Sequence, residues 1–196
     1  MDAQAEFMNR TQALLSPSVL SPSLLDPSFA IRASGPADCG PIRDFISGLS
    51  VRTQFLRFFA SVAPPSAGLL RGLCGADGRA LVILATDSRG AVIGHAMTVD
   101  RTAADGLRIS DVGLVVADGW QGRGVGSALL GAVVAGASAR GVSTLVMDVL
   151  PGNDKMLAMI ERRWPGARRQ FSADSVTIRA CLRGRGQQDA AGRCAA

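Results

Sequence analysis

Alternating apolar and polar residues mark much of the chain as strand-forming. In several short segments the apolar side chains recur at every second position, which is the spacing of a half-buried β-strand. The predicted strands of this kind are Phe29–Arg32, Leu81–Thr86, Ala91–Asp100 and Arg108–Val116. Ser88-Arg89-Gly90 is a turn signal between the second and third of them, so these two are expected to form a hairpin.

After Val116 the period changes from two residues to about 3.6, which indicates a helix. The small and apolar residues that share one face of this helix are Val125, Ala128, Leu129, Ala132, Val133 and Gly136. The helix is predicted to end near Arg140-Gly141, because a basic last turn followed by glycine is typical of a helix C-terminus.

The remaining segments complete an interleaved order of helices and strands. They are helices at Pro36–Gly48 and Arg52–Ala60, a loop at Ala63–Ser66, a strand at Val142–Leu150, a helix from Asn153 to about Arg163, and one or two strands within Gln170–Leu182. This order predicts an α/β or α+β fold without internal repeats.

The length of 196 residues and the apolar fraction of 47% suit one globular domain with tails. Residues 1–28 contain three Ser-Pro or Asp-Pro pairs, which disfavour helix, and are expected to be a flexible leader. Residues 183–196 are mostly Gly, Gln, Ala and Arg, and are expected to be disordered. The folded domain is therefore predicted at residues 29–182.

Charge and hydropathy argue against nucleic acid and membrane as partners. The net charge is +5, but Lys155 is the single lysine among 21 basic residues, and this arginine bias fits a coding bias of the genome. A nucleic-acid-binding surface would interleave basic and aromatic residues, whereas the chain has two Trp and no Tyr. The longest uncharged run, Gly124–Ala139, is too short and too glycine-rich to span a membrane.

The cysteines Cys39, Cys74, Cys181 and Cys194 lack the C-x-x-C spacing of a zinc site. Neither a metal site nor a disulfide framework is expected from them, and a reducing cytoplasm is the expected location. Asp2 and Glu6 precede any apolar stretch, so the N-terminus does not resemble a signal peptide.

A glycine-rich segment joins the strand that ends at Val116 to the following helix. It reads Gln121-Gly122-Arg123-Gly124-Val125-Gly126-Ser127. A helix N-terminus leaves about four backbone N–H groups unpaired and carries roughly half a positive charge. Glycine lets a phosphate approach those amides, and Arg123 adds a cation. The segment therefore predicts a pyrophosphate-binding site.

Spacing excludes two common phosphate-binding motifs. A Rossmann fingerprint would need glycine at Ser127, and a Walker A loop needs Gly-Lys-Ser/Thr, whereas Lys155 follows Asp154. The pattern that fits is Gln-x-x-Gly-x-Gly after an apolar strand, with Trp120 just before Gln121. This pattern resembles the coenzyme A motif of the GNAT acyltransferase superfamily.

The resemblance covers about residues 29–182 and implies a particular fold. That fold is a mixed, mostly antiparallel sheet of six to seven strands, flanked by about four helices, in which strands four and five splay apart. Acetyl-CoA would be the cosubstrate, without a metal, and its pantetheine arm would enter the gap between Arg108–Val116 and Val142–Leu150. The residues implied to contact it are Leu114, Val115, Val116, Gln121, Gly122, Arg123, Gly124, Val125, Gly126, Ser127, Asn153 and Met156. A plain helix N-cap is the alternative role of Asn153.

A finer resemblance concerns the acceptor. Arg52–Phe59, Asp111–Val116 and Asn153–Leu157 are similar to segments of bacterial protein lysine acetyltransferases of the Pat type. This similarity implies an N-acetyltransferase that modifies a protein lysine.

Two aspartates are the candidate general bases. An amine must lose a proton before it attacks a thioester, and a free lysine has a pKa of about 10.4; a carboxylate takes that proton directly or through water. Asp111 stands where the Pat-type proteins have a catalytic Glu, and Asp148 stands on strand five, where some ribosomal-protein acetyltransferases place theirs. Asp111 is favoured, and its alternative role is a structural ion pair with Arg108 or Arg179.

Two further residues bear on catalysis. Many family members protonate the leaving thiolate with a Tyr where this chain has Ile160, so water is left as the acid. His95 shares a strand face with apolar residues and is interpreted as packed rather than catalytic.

Three functions are therefore compatible with the sequence. The leading one is acetylation of a protein lysine, and the second is acetylation of a small amine such as an antibiotic or a polyamine. The third is a non-catalytic acyl-CoA-binding module. The acceptor and the choice between monomer and homodimer stay open.

Overall fold

The computed structural model describes residues 28–76, 78 and 80–182. The expected leader at 1–28 lies outside the described residues except for Ser28, and the expected tail at 183–196, which includes Cys194, lies entirely outside them.

Strands and helices alternate along the described chain as the sequence predicts. The strands are β1 (Phe29–Ala33), β2 (Ala80–Asp87), β3 (Val92–Thr102), β4 (Arg108–Val116), β5 (Thr144–Val149), β6 (Arg168–Phe171) and β7 (Val176–Cys181). The α-helices are α1 (Cys39–Ser47), α2 (Val51–Phe58), α3 (Ala67–Leu73), α4 (Val125–Ala139) and α5 (Asp154–Arg163). Short 3-10 turns occupy Pro36–Asp38 and Asp118–Trp120.

The strands form one sheet in the order β1-β2-β3-β4-β5-β7-β6. β4 and β5 run parallel, whereas β1–β2, β2–β3, β5–β7 and β6–β7 are antiparallel pairs. The register between β4 and β5 joins Ile109–Asp111 to Thr144–Val146 only, at the start of each strand. The expected mixed sheet, paired only in part between strands four and five, is thereby confirmed.

The described chain divides into two compact units. The first comprises the chain up to Val99 together with Gly113–Gly136, and the second comprises Asp100–Val112 together with the chain from Ala137.

The core of the first unit lies where α1 and α3 pack with β2 and the end of β4. Its buried members include Ile42, Ile46, Leu73, Leu84 and Val115. The apolar residues of α1 recur at helical spacing, so that one face is buried while the other stays polar.

Helix α3 is absent from the sequence prediction. Gly68 and Gly72 lower its intrinsic helix propensity, which hides the pattern. The helix forms because the side-chain oxygen of Ser66 accepts a hydrogen bond from the Leu69 amide and because Leu73 is buried in the core.

Cys39 and Cys74 are joined in a disulfide that links the start of α1 to the end of α3, with 5.5 Å between their Cα atoms. The prediction that the cysteines form no disulfide framework did not anticipate this bond. Cys39 and Cys74 are 35 residues apart, and only the packing of the two helices brings them together.

The second unit is centred on β5 and its antiparallel neighbour β7. Leu145, Met147, Ile160 and Ile178 are buried there. One ion pair reinforces this unit, because Arg140 donates to Asp100 from Nε at 2.7 Å and from Nη2 at 2.9 Å. Burial would raise the pKa of Asp100, but its hydrogen bonds with Arg140 and Ser110 outweigh burial and lower it.

Across residues 28–76, 78 and 80–182, no group of three His, Cys, Asp or Glu side chains is placed to hold a metal ion. In the same part of the chain, no helix is both long enough and apolar enough to cross a membrane.

Candidate functional site

The predicted phosphate loop leads from the end of β4 into α4. Gly122 and Gly124 have φ angles of 78° and 84°, a left-handed conformation that favours glycine. The first helical hydrogen bond of α4 joins the Ala128 amide to the Gly124 carbonyl at 3.0 Å. The amides of residues 124–127 therefore precede the helical ladder and remain available to a ligand at a positive helix end.

The partly buried side chain of Gln121 supports this loop through hydrogen bonds. Its amide nitrogen donates to the Val116 carbonyl at 3.2 Å and to Thr53 Oγ1 at 3.4 Å. These bonds hold the loop against the end of β4 and against α2. The predicted cofactor contact of Gln121 stays a prediction, and the side chain has this positioning role in addition.

Asp118, which the sequence analysis does not single out, fixes the same loop from the other side. Its carboxylate accepts hydrogen bonds from Thr53 Oγ1 at 2.7 Å, from Ser50 Oγ at 2.8 Å and from the Ser50 amide at 3.1 Å. Burial would raise the pKa of Asp118, but these hydrogen bonds outweigh burial and lower it. A carboxylate at the N-terminus of α2 also complements the helix dipole. The segment before the phosphate loop is thereby tied to α2.

Arg123 lies at the exposed side of the loop. Its Cζ atom is 5.1 Å from the centroid of the Trp120 ring, which restricts the guanidinium without neutralising its charge. The residues Leu114, Val115 and Val116 form the end of β4, and the side chains of Val115 and Val116 are buried. The side chains of Val115 and Val116 thus pack in the core. The predicted contact of this segment with the pantetheine depends on its main chain instead.

The two candidate bases lie in the second unit, near one arginine. Arg101 donates from Nε to Asp111 Oδ2 at 2.9 Å and from Nη2 to Asp111 Oδ1 at 3.3 Å. Hydrogen bonding with Asp111 is the main cause of the raised pKa of Arg101, and the charges of Asp111 and Asp148 both contribute. Arg101 therefore lies within the electrostatic range of both carboxylates.

The structural ion pair considered for Asp111 exists, but its partner is different. Arg108 pairs with Asp100 instead, and the expectation of Arg108 or Arg179 as the partner of Asp111 was wrong. The reason is that β3 and β4 are neighbouring strands joined by a short turn, so that Arg101 lies beside a residue ten positions away. Both side chains of this pair are about half exposed, at 47% and 49%, so water competes with the pair.

Asp148 is exposed on β5 and accepts a hydrogen bond from Thr177 Oγ1 at 2.6 Å. Thr177 stands directly opposite on β7 and orients this carboxylate. Within the described residues, no Arg or Lys side chain forms a salt bridge with Asp148. The bond from Thr177 thus engages one carboxylate oxygen of Asp148, whereas Arg101 engages both oxygens of Asp111.

Asn153 caps helix α5, because its Oδ1 accepts a hydrogen bond from the Met156 amide at 3.3 Å. The alternative role of Asn153 as a helix N-cap is thereby confirmed, and the ligand roles of Asn153 and Met156 stay predictions. Ile160, at the position of the missing tyrosine, is almost fully buried. No polar group takes the place of a phenol at this position.

His95 is fully buried on β3, and its Nε2 lies 2.8 Å from the Leu73 carbonyl. Since a carbonyl oxygen can only accept a hydrogen bond, Nε2 carries the proton and Nδ1 is unprotonated. Burial is the main cause that lowers the pKa of His95 to about 4, and the charge of Arg57 adds to it. The interpretation of His95 as a packed residue is confirmed.

Comparison with known proteins agrees with this geometry. The sequence model of the Acetyltransferase (GNAT) family matches residues 51–164. No curated protein sequence matches the chain.

Three solved structures illustrate the likeness. The GNAT domain of S. lividans PAT is 27% identical with a TM-score of 0.68, over 77% of this chain and 89% of that one. A point mutant of a cAMP-binding acyltransferase from Mycobacterium smegmatis is 28% identical with a TM-score of 0.53, and the match covers 80% of this chain and 44% of that one. A phosphinothricin acetyltransferase from Sinorhizobium meliloti, in complex with AcCoA, has the same fold at 20% identity and a TM-score of 0.61, over 79% of this chain and 89% of that one.

A family match over more than half of the chain, together with the sheet order and the glycine-lined helix start, leads to one conclusion: this chain belongs to the GNAT acetyltransferase family.

Proposed function

We propose that this protein, through one domain at residues 29–182, transfers the acetyl group of acetyl-CoA to a lysine side chain of another protein. The observation that carries acetyl-CoA binding is the start of α4, where main-chain amides at residues 124–127 lie outside the helical ladder between glycines. Such amides at a positive helix end suit the pyrophosphate of coenzyme A.

Two observations support a protein acceptor. The chain is 27% identical to the GNAT domain of S. lividans PAT, and the likeness extends over most of both chains. In addition, Val51, Phe55 and Phe59 follow each other at helical spacing along α2 and its C-cap, and are exposed to 70%, 50% and 38%. An exposed apolar face of this kind is typical of a surface that contacts another protein.

The chemistry requires one base and one departing thiolate. The neutral amine nitrogen forms a bond to the thioester carbonyl carbon, the carbon–sulfur bond breaks, and the sulfur leaves as the thiolate. A carboxylate takes the proton that the amine loses, directly or through water. A thiol has a pKa of about 8.5, so water supplies the proton for the thiolate where Ile160 replaces the acid.

We further propose that Asp148 is the better placed of the two bases. Thr177 orients one of its oxygens and leaves the other for a proton. Asp111 must first give up part of its ion pair with Arg101 before it can accept one. Asp111 therefore acts through Arg101 on the local charge, or replaces Asp148 when that pair opens.

The direct experiment follows release of the coenzyme A thiol from acetyl-CoA. The purified protein is incubated with protein substrates, lysine peptides and small amines, and acetyl-lysine is located by mass spectrometry. Asp148→Asn is expected to lower kcat by about 100-fold or more, the range of general-base catalysis, with little change in the Kd for acetyl-CoA. Asp174→Asn, which removes an exposed carboxylate in the same unit, is the matched control and should leave kcat unchanged.

The ion pair at Asp111 and the absence of a tyrosine are the observations that favour the non-catalytic alternative. Tight binding of acetyl-CoA without thiol release for any acceptor would support that alternative. Thiol release with small amines alone would instead refute the protein acceptor and keep the transferase. The expected cytoplasmic location stays a prediction.

A further inference from the structure

The guanidinium of Arg57, on helix α2, is a cation without an anionic partner in the described part of the chain. Its Nε atom is buried and has no hydrogen-bond partner there. The contact that the structure gives it is the ring of Phe58, whose centroid is 4.9 Å from Arg57 Cζ. Arg32, Arg101 and Arg140, by contrast, each form a salt bridge with an aspartate.

Gly113 on β4 provides the space for this guanidinium. A Cβ atom added at Gly113 would lie 1.9 Å from Arg57 Nη2 and 2.3 Å from Arg57 Cζ. The guanidinium therefore lies directly against the main chain of β4, at a distance that only glycine permits.

Burial of this charge is unfavourable as the structure stands. Loss of hydration lowers the pKa of Arg57 to about 10, and no neighbouring carboxylate opposes that effect. The side chain is still charged at neutral pH. Buried charges in proteins are generally paired or bind a ligand, and a planar guanidinium matches the two oxygens of a carboxylate.

The exposure of Arg57 and its position beside β4 bear on which ligand it could bind. Among the atoms of Arg57, Nε is both sealed from solvent and without a partner in the described residues, while the residue as a whole is only partly buried. The terminal nitrogen Nη2 lies beside Gly113, which immediately precedes the predicted cofactor-binding segment Leu114–Val116. An anion held there would be adjacent in the chain to the segment expected to bind the pantetheine.

We propose that Arg57 binds a carboxylate of the acceptor, an acidic side chain next to the target lysine, and so makes the enzyme selective for lysines in acidic surroundings. This inference rests on the proposed function, and it adds a specificity-determining residue to it.

The test uses the full-length protein, acetyl-CoA and two capped peptides that differ only in the neighbours of one lysine, Glu-Lys-Glu and Gln-Lys-Gln. A charge-assisted pair of this kind predicts a KM for the acidic peptide about 10-fold to 100-fold lower than for the neutral one. In Arg57→Gln the two KM values should agree within about threefold, because the guanidinium that would bind the acidic side chain is gone.

Three further variants separate binding from structure. Gly113→Ala keeps Arg57 but displaces its guanidinium, and should abolish the preference as well. Arg57→Lys keeps the charge but lacks the planar guanidinium with its two parallel donors, and should retain only part of the preference for the acidic peptide. Arg52→Gln removes an exposed arginine from the same helix and should leave the preference intact. Because Arg57 has no anionic partner among the described residues, Arg57→Gln should also melt at the same temperature as the wild type or higher.

Either of two kinetic results would overturn the inference. One is equal KM values for both peptides in the wild type, and the other is an unchanged preference for the acidic peptide in Arg57→Gln. Thiol release with the neutral peptide would show at the same time that the proposed function holds. If neither peptide releases thiol, both peptides are titrated calorimetrically into the acetyl-CoA complex. Tighter binding of the acidic peptide would then support the role of Arg57, and equal Kd values would overturn it. A preference for succinyl-CoA over acetyl-CoA that depends on Arg57 would assign the carboxylate to the acyl group instead, and would refute its assignment to the acceptor.

Discussion

Replacement of His95 tests the electrostatic interpretation of the first unit most directly. The imidazole is fully buried, bonded through Nε2 to the Leu73 carbonyl, and has a pKa of about 4. In the unfolded chain its pKa would be 6.5. At a pH between these two values His95 is protonated in the unfolded state but not in the folded state. The free energy of unfolding therefore falls as the pH falls.

The magnitude follows from the difference between the two pKa values. At about 1.4 kcal/mol per pKa unit, the shift from 6.5 to about 4 corresponds to about 3 kcal/mol in total. The full contribution is present above pH 6.5 and is lost progressively down to about pH 4. At about pH 5 roughly 2 kcal/mol of it should be lost.

The assay is urea unfolding of the wild type and of His95→Gln at about pH 7.5 and about pH 5. Glutamine can still donate a hydrogen bond to the Leu73 carbonyl but cannot be protonated. The wild type should therefore lose about 2 kcal/mol more than the variant between these two pH values, while losses from carboxylates cancel in the difference. Equal losses in both proteins would refute the assignment of a neutral, buried imidazole.

Three other changes have outcomes set by named contacts. Gly94→Ala would place a Cβ 2.8 Å from Leu129 Cδ1 on α4, and should lower the free energy of unfolding by about 1–3 kcal/mol in urea titrations. Asp118→Ala removes three hydrogen bonds between α2 and the segment before the phosphate loop, so calorimetry should show weaker acetyl-CoA binding, and the free energy of unfolding should fall by about 1–2 kcal/mol. Asp100→Asn leaves the largely buried Arg140 without its charged partner, and should cost about 2–4 kcal/mol of stability, with a smaller loss or none contradicting the role of that pair.

The elements with strong periodicity were predicted well. β4 has the predicted bounds, and α4 begins at Val125, within the glycine-rich segment where a helix start was predicted, because alternation and a glycine-rich helix start are local signals. Helix α3 was missed because its two glycines weaken the local pattern, and its stability comes from a serine cap and from burial of Leu73.

The candidate site was predictable to a lesser extent. The glycine-rich helix start, with its predicted phosphate-binding role, was recognised because it lies within seven consecutive residues. The hydrogen-bond partners of the candidate bases could not be predicted in this way. Arg101 and Asp111 lie on different strands, and Thr177 is 29 residues from Asp148 in the sequence. Such contacts depend on strand register, which one sequence does not specify at the level of single side chains.

The sequence by itself determined the order of elements apart from helix α3, the glycine-lined helix start and the resemblance to the GNAT superfamily. Each of these depends on residue types at short spacing, and short-range sterics and hydrogen bonding are encoded locally. Tertiary structure alone decided the disulfide between Cys39 and Cys74, the ion pair at Asp111 and the uncompensated charge of Arg57 against Gly113. These features exist because distant segments pack together, and the cost of burying a charge depends on which groups packing places around it.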